Sequence, residues 1–184
     1  MIGRPRTIRW ADEAGAEAGL EHCELRPEAG GLLVSSVVAG TIDGVRFGLA
    51  YTLSIDAAWR VRTAELRAAS GRLLRLDREG ERWRIDGAPA PGLDGCIDID
   101  IRATPFTNTL PIRRLALSPG QSAEIAVVYV DVPDLTVTVS RQLYRRVKEL
   151  AYRFESLEDG FRADLPVDPD GLVTDYPGLF RRLA

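Results

Sequence analysis

The sequence predicts a mainly β protein: a duplicated antiparallel meander that forms a large curved sheet or an open, incomplete barrel. Three observations carry this prediction. Apolar and polar residues alternate with period two along most of the 184 residues, the pattern of a half-buried strand. Strand-like runs are separated by short Gly- and Asp-rich turn signals. The punctuation also recurs weakly at an offset of about 78 residues.

The runs follow one another closely. "LEHCEL" is a short first strand. "LLVSSVVAGTI" and "VRFGLAYTLSI" flank Asp43-Gly44, a strong hairpin signal. "WRVRTAEL" places Trp59, Val61 and Thr63 on one face. "RLLRLD" and "RWRID" flank "REGE" as a second hairpin. "CIDIDI" sets Ile97, Ile99 and Ile101 against Asp98, Asp100 and Arg102. "RRLALS" and "AEIAVVYVDV" flank "PGQ". "LTVTVSRQLYRRV" holds Leu135, Val137, Val139, Leu143 and Val147 in one register, and "LAYRFES" and "FRADL" flank "LEDG". One segment reads two ways: Leu143, Val147, Leu150 and Phe154 also lie at helical spacing, so residues 141–152 are the one candidate helix.

At the offset, Pro27 falls on Pro105, Tyr51 on Tyr129, Asp56 on Asp134 and Trp83-Arg84 on Phe161-Arg162. A single domain, 1–184, built of two units (about 20–86 and 98–164) is therefore expected. A sheet of that many strands curls or closes, because twisted open sheets rarely exceed about ten strands. "TPFTNTL", residues 104–110, lies on "RPEAGGL" and is expected to form a corner. Pro105 and Pro111 mark a strand start, edge or bulge, and Asn108 stands in for Gly30 at a positive φ. The competing reading is a polar lip of Phe106, Thr107, Asn108 and Thr109, with Arg113 or Arg114 facing an anion.

Composition excludes several functions. The net charge of -3 provides no basic field for nucleic acid. No stretch approaches the roughly 18 apolar residues of a membrane-spanning helix. "MIGRPRTIRWADEAG" lacks the apolar run of a signal peptide, so the expected location is cytoplasmic and Cys23 and Cys96 are expected to be reduced core residues. The single histidine, His22, has no nucleophile elbow to serve, and its neighbour Cys23 points to the opposite strand face, which argues against a shared metal. No cofactor motif and no metal set are read. Asp98 and Asp100 share a strand face and could act as an acid–base pair or bind a hard cation, although an exposed strand face beside Arg102, or an Arg partner across the sheet, is the plainer reading. Asp56 and Asp134 read as turn formers. Trp10, Trp59 and Trp83 could line an apolar cavity or stack on a sugar, and Tyr51 and Tyr129 could bring hydroxyls to its rim.

"LDGCIDIDIRATPFTNTLPIRRL" (93–115), "YTLSIDAAWRVR" (51–62), "VVYVDVPDLTV" (127–137), "RQLYRR" (141–146) and "DGLVTDYPGLFRR" (170–182) carry a resemblance over nearly the whole chain. The chain resembles the bacterial "putative glycolipid-binding" family, formerly a domain of unknown function. The resemblance implies a duplicated β fold similar to the LolA and LolB lipoprotein carriers, which hold acyl chains in an unclosed barrel; it implies no catalytic residues. Three functions follow as expectations. A lipid or glycolipid binder needs an apolar cavity. An enzyme needs Asp98 and Asp100 to converge with Arg113 or Arg114 in a polar cleft. An interaction module, such as a homodimer, needs open sheet edges.

Overall fold

The computed structural model describes residues 2–184 and is mainly β. The chain opens with an antiparallel meander: β1 (Arg6–Asp12), β2 (Gly19–Glu28), β3 (Gly31–Ile42), β4 (Val45–Asp56), β5 (Val61–Ala68), β6 (Leu73–Glu79), β7 (Arg82–Ile85) and β8 (Ala88–Pro89). After a single 3-10 turn come β9 (Asp98–Ile101), a second 3-10 turn (Pro105–Asn108) and the helix α1 (Thr109–Leu115). The chain continues through β10 (Ser122–Val130), β11 (Val137–Lys148), β12 (Ala151–Ser156) and β13 (Arg162–Pro166), and ends with β14 (Asp175–Tyr176) and β15 (Phe180–Arg182). β14 and β15 add to the edge at β1 and complete a ten-stranded sheet. The other five strands, in the order β13-β12-β11-β10-β9, curl strongly into a half-barrel.

Local chemistry explains the turns. Ile42 pairs with Val45, and the two residues between them, Asp43 (φ 50) and Gly44 (φ 78), both sit at positive φ. That geometry matches the twist of the flanking strands. Between β4 and β5 the pairing shifts, from Ser54 with Thr63 to Ile55 with Val61. This bulge breaks the simple alternation, so Val61, Ala64, Leu66 and Ala68 all reach the core.

Three expectations are corrected. Residues 141–152 are not a helix: they run through β11 into β12, and the ladder to β10 on one side and β12 on the other takes up their backbone groups. The inward face of β11 carries Gln142 and Tyr144, whereas Val139 is 41% exposed. "RRLALS" is not a strand. Its first half, Arg113 to Leu115, ends α1; Pro105 opens the 3-10 turn before the helix and Pro111 sits in the first helical turn, positions at which the missing N–H costs nothing. Thr104 caps the segment, its Oγ1 accepting from the Phe106 N–H at 3.0 Å. The third correction concerns direction. β9 pairs parallel with β10, Asp98 opposite Val127 and Ile101 opposite Val130, and the 3-10 turn and α1 supply the crossover that a parallel pair requires.

The main core joins the inner face of the large sheet to Ile99, Ile101, Phe106, Leu110, Val128 and Val130. A second cluster, with Tyr144, Phe154, Leu165 and Tyr176, fills the half-barrel. Trp10 and Trp83 are fully buried, and each indole N–H donates to a carbonyl at 2.8 Å, Val173 and Cys96 respectively. Cys23 and Cys96 are buried free thiols. Asp168 fastens the C-terminal segment, accepting from Arg182 at 2.7 Å and Arg6 at 3.1 Å.

Gly31, at the start of β3, has no room for a side chain: an added Cβ would lie 2.0 Å from the Ile55 carbonyl oxygen at the β4 bulge. Because the obstacle is backbone, Gly31→Ala is expected to destabilise the fold by roughly 1–3 kcal/mol or more in urea titrations.

Candidate functional site

The two sheets part on one side of the molecule and leave a cleft of about 590 Å³. Its apolar lining includes Trp10, Val38, Phe47, Phe154, Tyr176 and Phe180. Phe154, Tyr176 and Phe180 contact one another edge-on, with centroids 6.4 and 6.3 Å apart. Its polar lining includes Glu21, Asp100, Arg102, Asn108, Tyr129 and Gln142.

Strand parity places Glu21 there. In β2 the residues 21, 23 and 25 all point inward, so the face that buries Cys23 and Leu25 also carries a carboxylate, 1% exposed, into the interior. Its Oε1 accepts from Ser36 Oγ at 2.7 Å, Tyr51 Oη at 2.6 Å and Thr104 Oγ1 at 2.9 Å; its Oε2 accepts from Thr104 at 2.7 Å. Burial nonetheless dominates the three hydroxyl donors and pushes the carboxyl up to about 7.

Asp100, on β9 of the five-stranded sheet, lines the same cleft. Gln142 Nε2 donates to its Oδ2 at 2.7 Å and Thr107 Oγ1 to its Oδ1 at 3.0 Å. Burial raises this carboxyl as well, and the two donors offset only part of the rise. Tyr129, opposite Asp100 in the parallel ladder, is pushed up to about 12, first by burial and then by the Asp100 charge. Asn108 Nδ2 donates to Tyr144 Oη at 2.8 Å. Arg102 is held by Asp43 at 2.8 Å and Asp131 at 3.0 Å.

The segment 103–112 organises this polar lining, and it is neither an exposed corner nor a polar lip, for every residue in it is buried. Thr104 reaches Glu21 on the large sheet, Thr107 reaches Asp100, and Asn108 reaches Tyr144 in the half-barrel. Asn108 has φ -63, so it does not play the left-handed part of Gly30.

Among the residues singled out from sequence, Asp100, Asn108 and Tyr129 line the cleft, and Tyr51 and Thr107 support it from behind. Trp83 and Phe106 are core residues, 1% and 0% exposed. Thr109 is fully buried. Trp59 lies beneath the Arg113 guanidinium, 5.1 Å from the ring centroid. Arg114 is committed to Asp98, with Nη2 2.5 Å and Nε 3.0 Å from the carboxylate oxygens. Of the two plainer readings, an exposed face or an Arg partner, Asp98 takes the second: it is a fully buried ion partner. It does not share the cleft with Asp100, which separates the two carboxylates proposed as an acid–base pair. Burial raises the Asp98 carboxyl, and Arg114 counteracts it. Asp56 forms its turn as expected, accepting from the backbone N–H groups of Ala58 and Arg60, both at 2.9 Å. Asp134 lies exposed between β10 and β11.

Sequence reasoning missed Glu21, Thr104 and Gln142. For Glu21 a signal existed, since a carboxylate interrupts the apolar parity of Cys23 and Leu25. For Gln142 the assumed register of β11 pointed to the wrong face. Among the described residues, no group of three or more His, Cys, Asp or Glu is placed to hold a metal ion, and no helix is long and apolar enough to cross a membrane.

Two outcomes are expected. The unfolded chain releases the Glu21 proton near 4.5, whereas the folded protein keeps it to about 7. Between those values the folded state binds more protons, so stability falls as pH rises and levels off above 7. The total is about 3 kcal/mol. Urea denaturation at pH 5 and pH 8 should show this slope, and Glu21→Gln should flatten it. Arg114→Met strands Asp98 as an unpaired buried charge and is expected to cost about 3–5 kcal/mol by the same measurement. Replacing both partners by apolar residues should cost much less.

Comparison with known proteins completes the description. The family model described as "Putative glycolipid-binding" matches residues 7–182. A protein of the DUF1089 family from Pseudomonas aeruginosa, known by crystal structure, is 42% identical, with a TM-score of 0.79 over 89% of this chain and 92% of its own. No curated protein matches. With the family model spanning nearly the full length, and with a solved relative of the same fold and high identity, this chain belongs to the "Putative glycolipid-binding" family.

Proposed function

We propose that the cleft binds an amphiphile of the glycolipid type. The carrying observation is its mixed lining: the apolar side chains Trp10, Val38, Phe47, Phe154, Tyr176 and Phe180 share one cleft with the polar set Asp100, Asn108, Tyr129 and Gln142. A volume of about 590 Å³ falls in the range of small-ligand sites, roughly 300–1,000 Å³. An alkyl or acyl chain would lie against the aromatic and aliphatic side chains, and sugar hydroxyls would exchange their water for the carboxylate and amide oxygens of the same cleft. The family description agrees with this reading. A carrier architecture like that of LolA and LolB, operating in the cytoplasm, belongs to the same proposal.

We also propose that the two meanders derive from one duplicated unit. At an offset of about 78 residues, β10–β13 overlap β4–β7, and α1 falls where β3 lies. Removing the strand equivalent to β3 would leave β9 beside β10 in parallel, because β2 and β4 already run in the same direction. The edges favour a homodimer less: β8 and β14, at the ends of the large sheet, have two residues each, too short a template for strand addition.

Thr138 lies at the cleft on an exposed stretch of β11. Native mass spectrometry of protein purified from its own host is expected to show a bound glycolipid mass. Thr138→Trp, which fills the mouth without touching the core, is expected to abolish it. Absence of any lipid mass, together with no response of tryptophan fluorescence to added alkyl glycosides and no heat of binding in calorimetry, would overturn the assignment.

A further inference from the structure

We infer that the cleft selects amphiphiles whose polar group donates hydrogen bonds and carries no negative charge, so that sugar and amine head groups are accepted and phosphate head groups are rejected. The inference rests on the amphiphile-binding reading above and specifies its head-group chemistry.

Two independent observations carry it. The first is charge. Asp12, Glu21, Asp43, Asp100, Glu158 and Asp159 all line the cleft, whereas Arg102 is its one Lys or Arg among the described residues. Arg102 is already held between Asp43 and Asp131, at 2.8 and 3.0 Å. A phosphate would enter a field of carboxylates with no free cation to meet it, and like charges brought together in a partly dry site are strongly disfavoured.

The second observation is an orphaned acceptor. Gln142 is 2% exposed and lines the cleft, and its Oε1 has no hydrogen-bond partner. The amide orientation follows from chemistry. A carboxylate only accepts, so the Gln142 NH₂ must face Asp100, to which it donates at 2.7 Å, and Oε1 must turn away. A buried carbonyl oxygen left unpaired is costly, and a donor on a ligand would satisfy it. Asp100 beside it offers further acceptor capacity. Oxygen acceptors without a free cation are matched by hydroxyl or ammonium donors and mismatched by phosphate.

The test compares three amphiphiles with the same chain, dodecyl maltoside, dodecylammonium and dodecyl phosphate, each below its micelle concentration, followed by tryptophan fluorescence and calorimetry. The maltoside, the ammonium or both are expected to bind at least about tenfold more tightly than the phosphate. Which of the two binds better identifies hydroxyl or amine as the donor. Gln142→Met should weaken the favoured ligand about tenfold and leave the phosphate unchanged, and Asp100→Asn should narrow the discrimination. Equal or tighter binding of the phosphate overturns the inference while leaving the amphiphile site standing. No binding by any of the three overturns both.

Discussion

The hydrogen bond from Thr104 to Glu21 joins groups 83 residues apart and ties the two sheets together at the wall of the cleft. Much else follows from it. Glu21 is buried because its strand parity allows nothing else, and a buried carboxyl must be given donors or be neutralised. Ser36 and Tyr51 come from the neighbouring strands of the same sheet, but Thr104 can arrive only if the chain leaves β9, folds inward and buries ten consecutive residues. Burying that much backbone requires local hydrogen bonding, which the 3-10 turn and α1 provide. With a helix occupying that path, β9 must pair with β10 directly and in parallel.

The same arrangement gives the cleft its character. The half-barrel cannot close against the large sheet where Glu21, Asp100 and Gln142 face one another, because carboxylates and a spare amide oxygen do not pack as hydrocarbons do. Among them Trp10, the cross-strand neighbour of Glu21, and Phe154, Tyr176 and Phe180 bring rings that have no such restriction. An amphiphilic cavity is thus the consequence of setting buried acceptors among aromatic residues on both inner faces. Asp98 shows the contrast. Two residues from Asp100 on the same strand, it meets Arg114 from α1, becomes a closed ion pair and is lost to ligand chemistry.

The strands were largely legible in the sequence. Period-two alternation and the Asp43-Gly44 signal locate β3 and β4, and "REGE" and "LEDG" locate two further hairpins, since turns of this kind are decided by a few residues close in sequence. The segments that resisted were those whose partners lie far away. Residues 141–152 have the spacing of an amphipathic helix, yet they sit between two strands that complete their backbone bonds. "TPFTNTL" looks like a surface corner because it is polar, but its hydroxyls and amide meet Glu21, Asp100 and Tyr144. Of the site, Asp100, Asn108 and Tyr129 were visible as polar residues in strand or turn context. Gln142 was hidden by a one-residue error in the inward register of β11, which transfers every side chain to the other face.

By itself, then, the sequence determined a mainly β chain, most of its strands and hairpins, and membership of its family, because each depends on short-range periodicity, turn chemistry or motif. Only the tertiary structure decided which carboxylates face the cleft, which are neutralised by arginine, and that one strand pair runs parallel. Those outcomes depend on which distant group arrives opposite each side chain, and nothing local to Asp98 and Asp100 distinguishes the one that meets Arg114 from the one that meets Gln142.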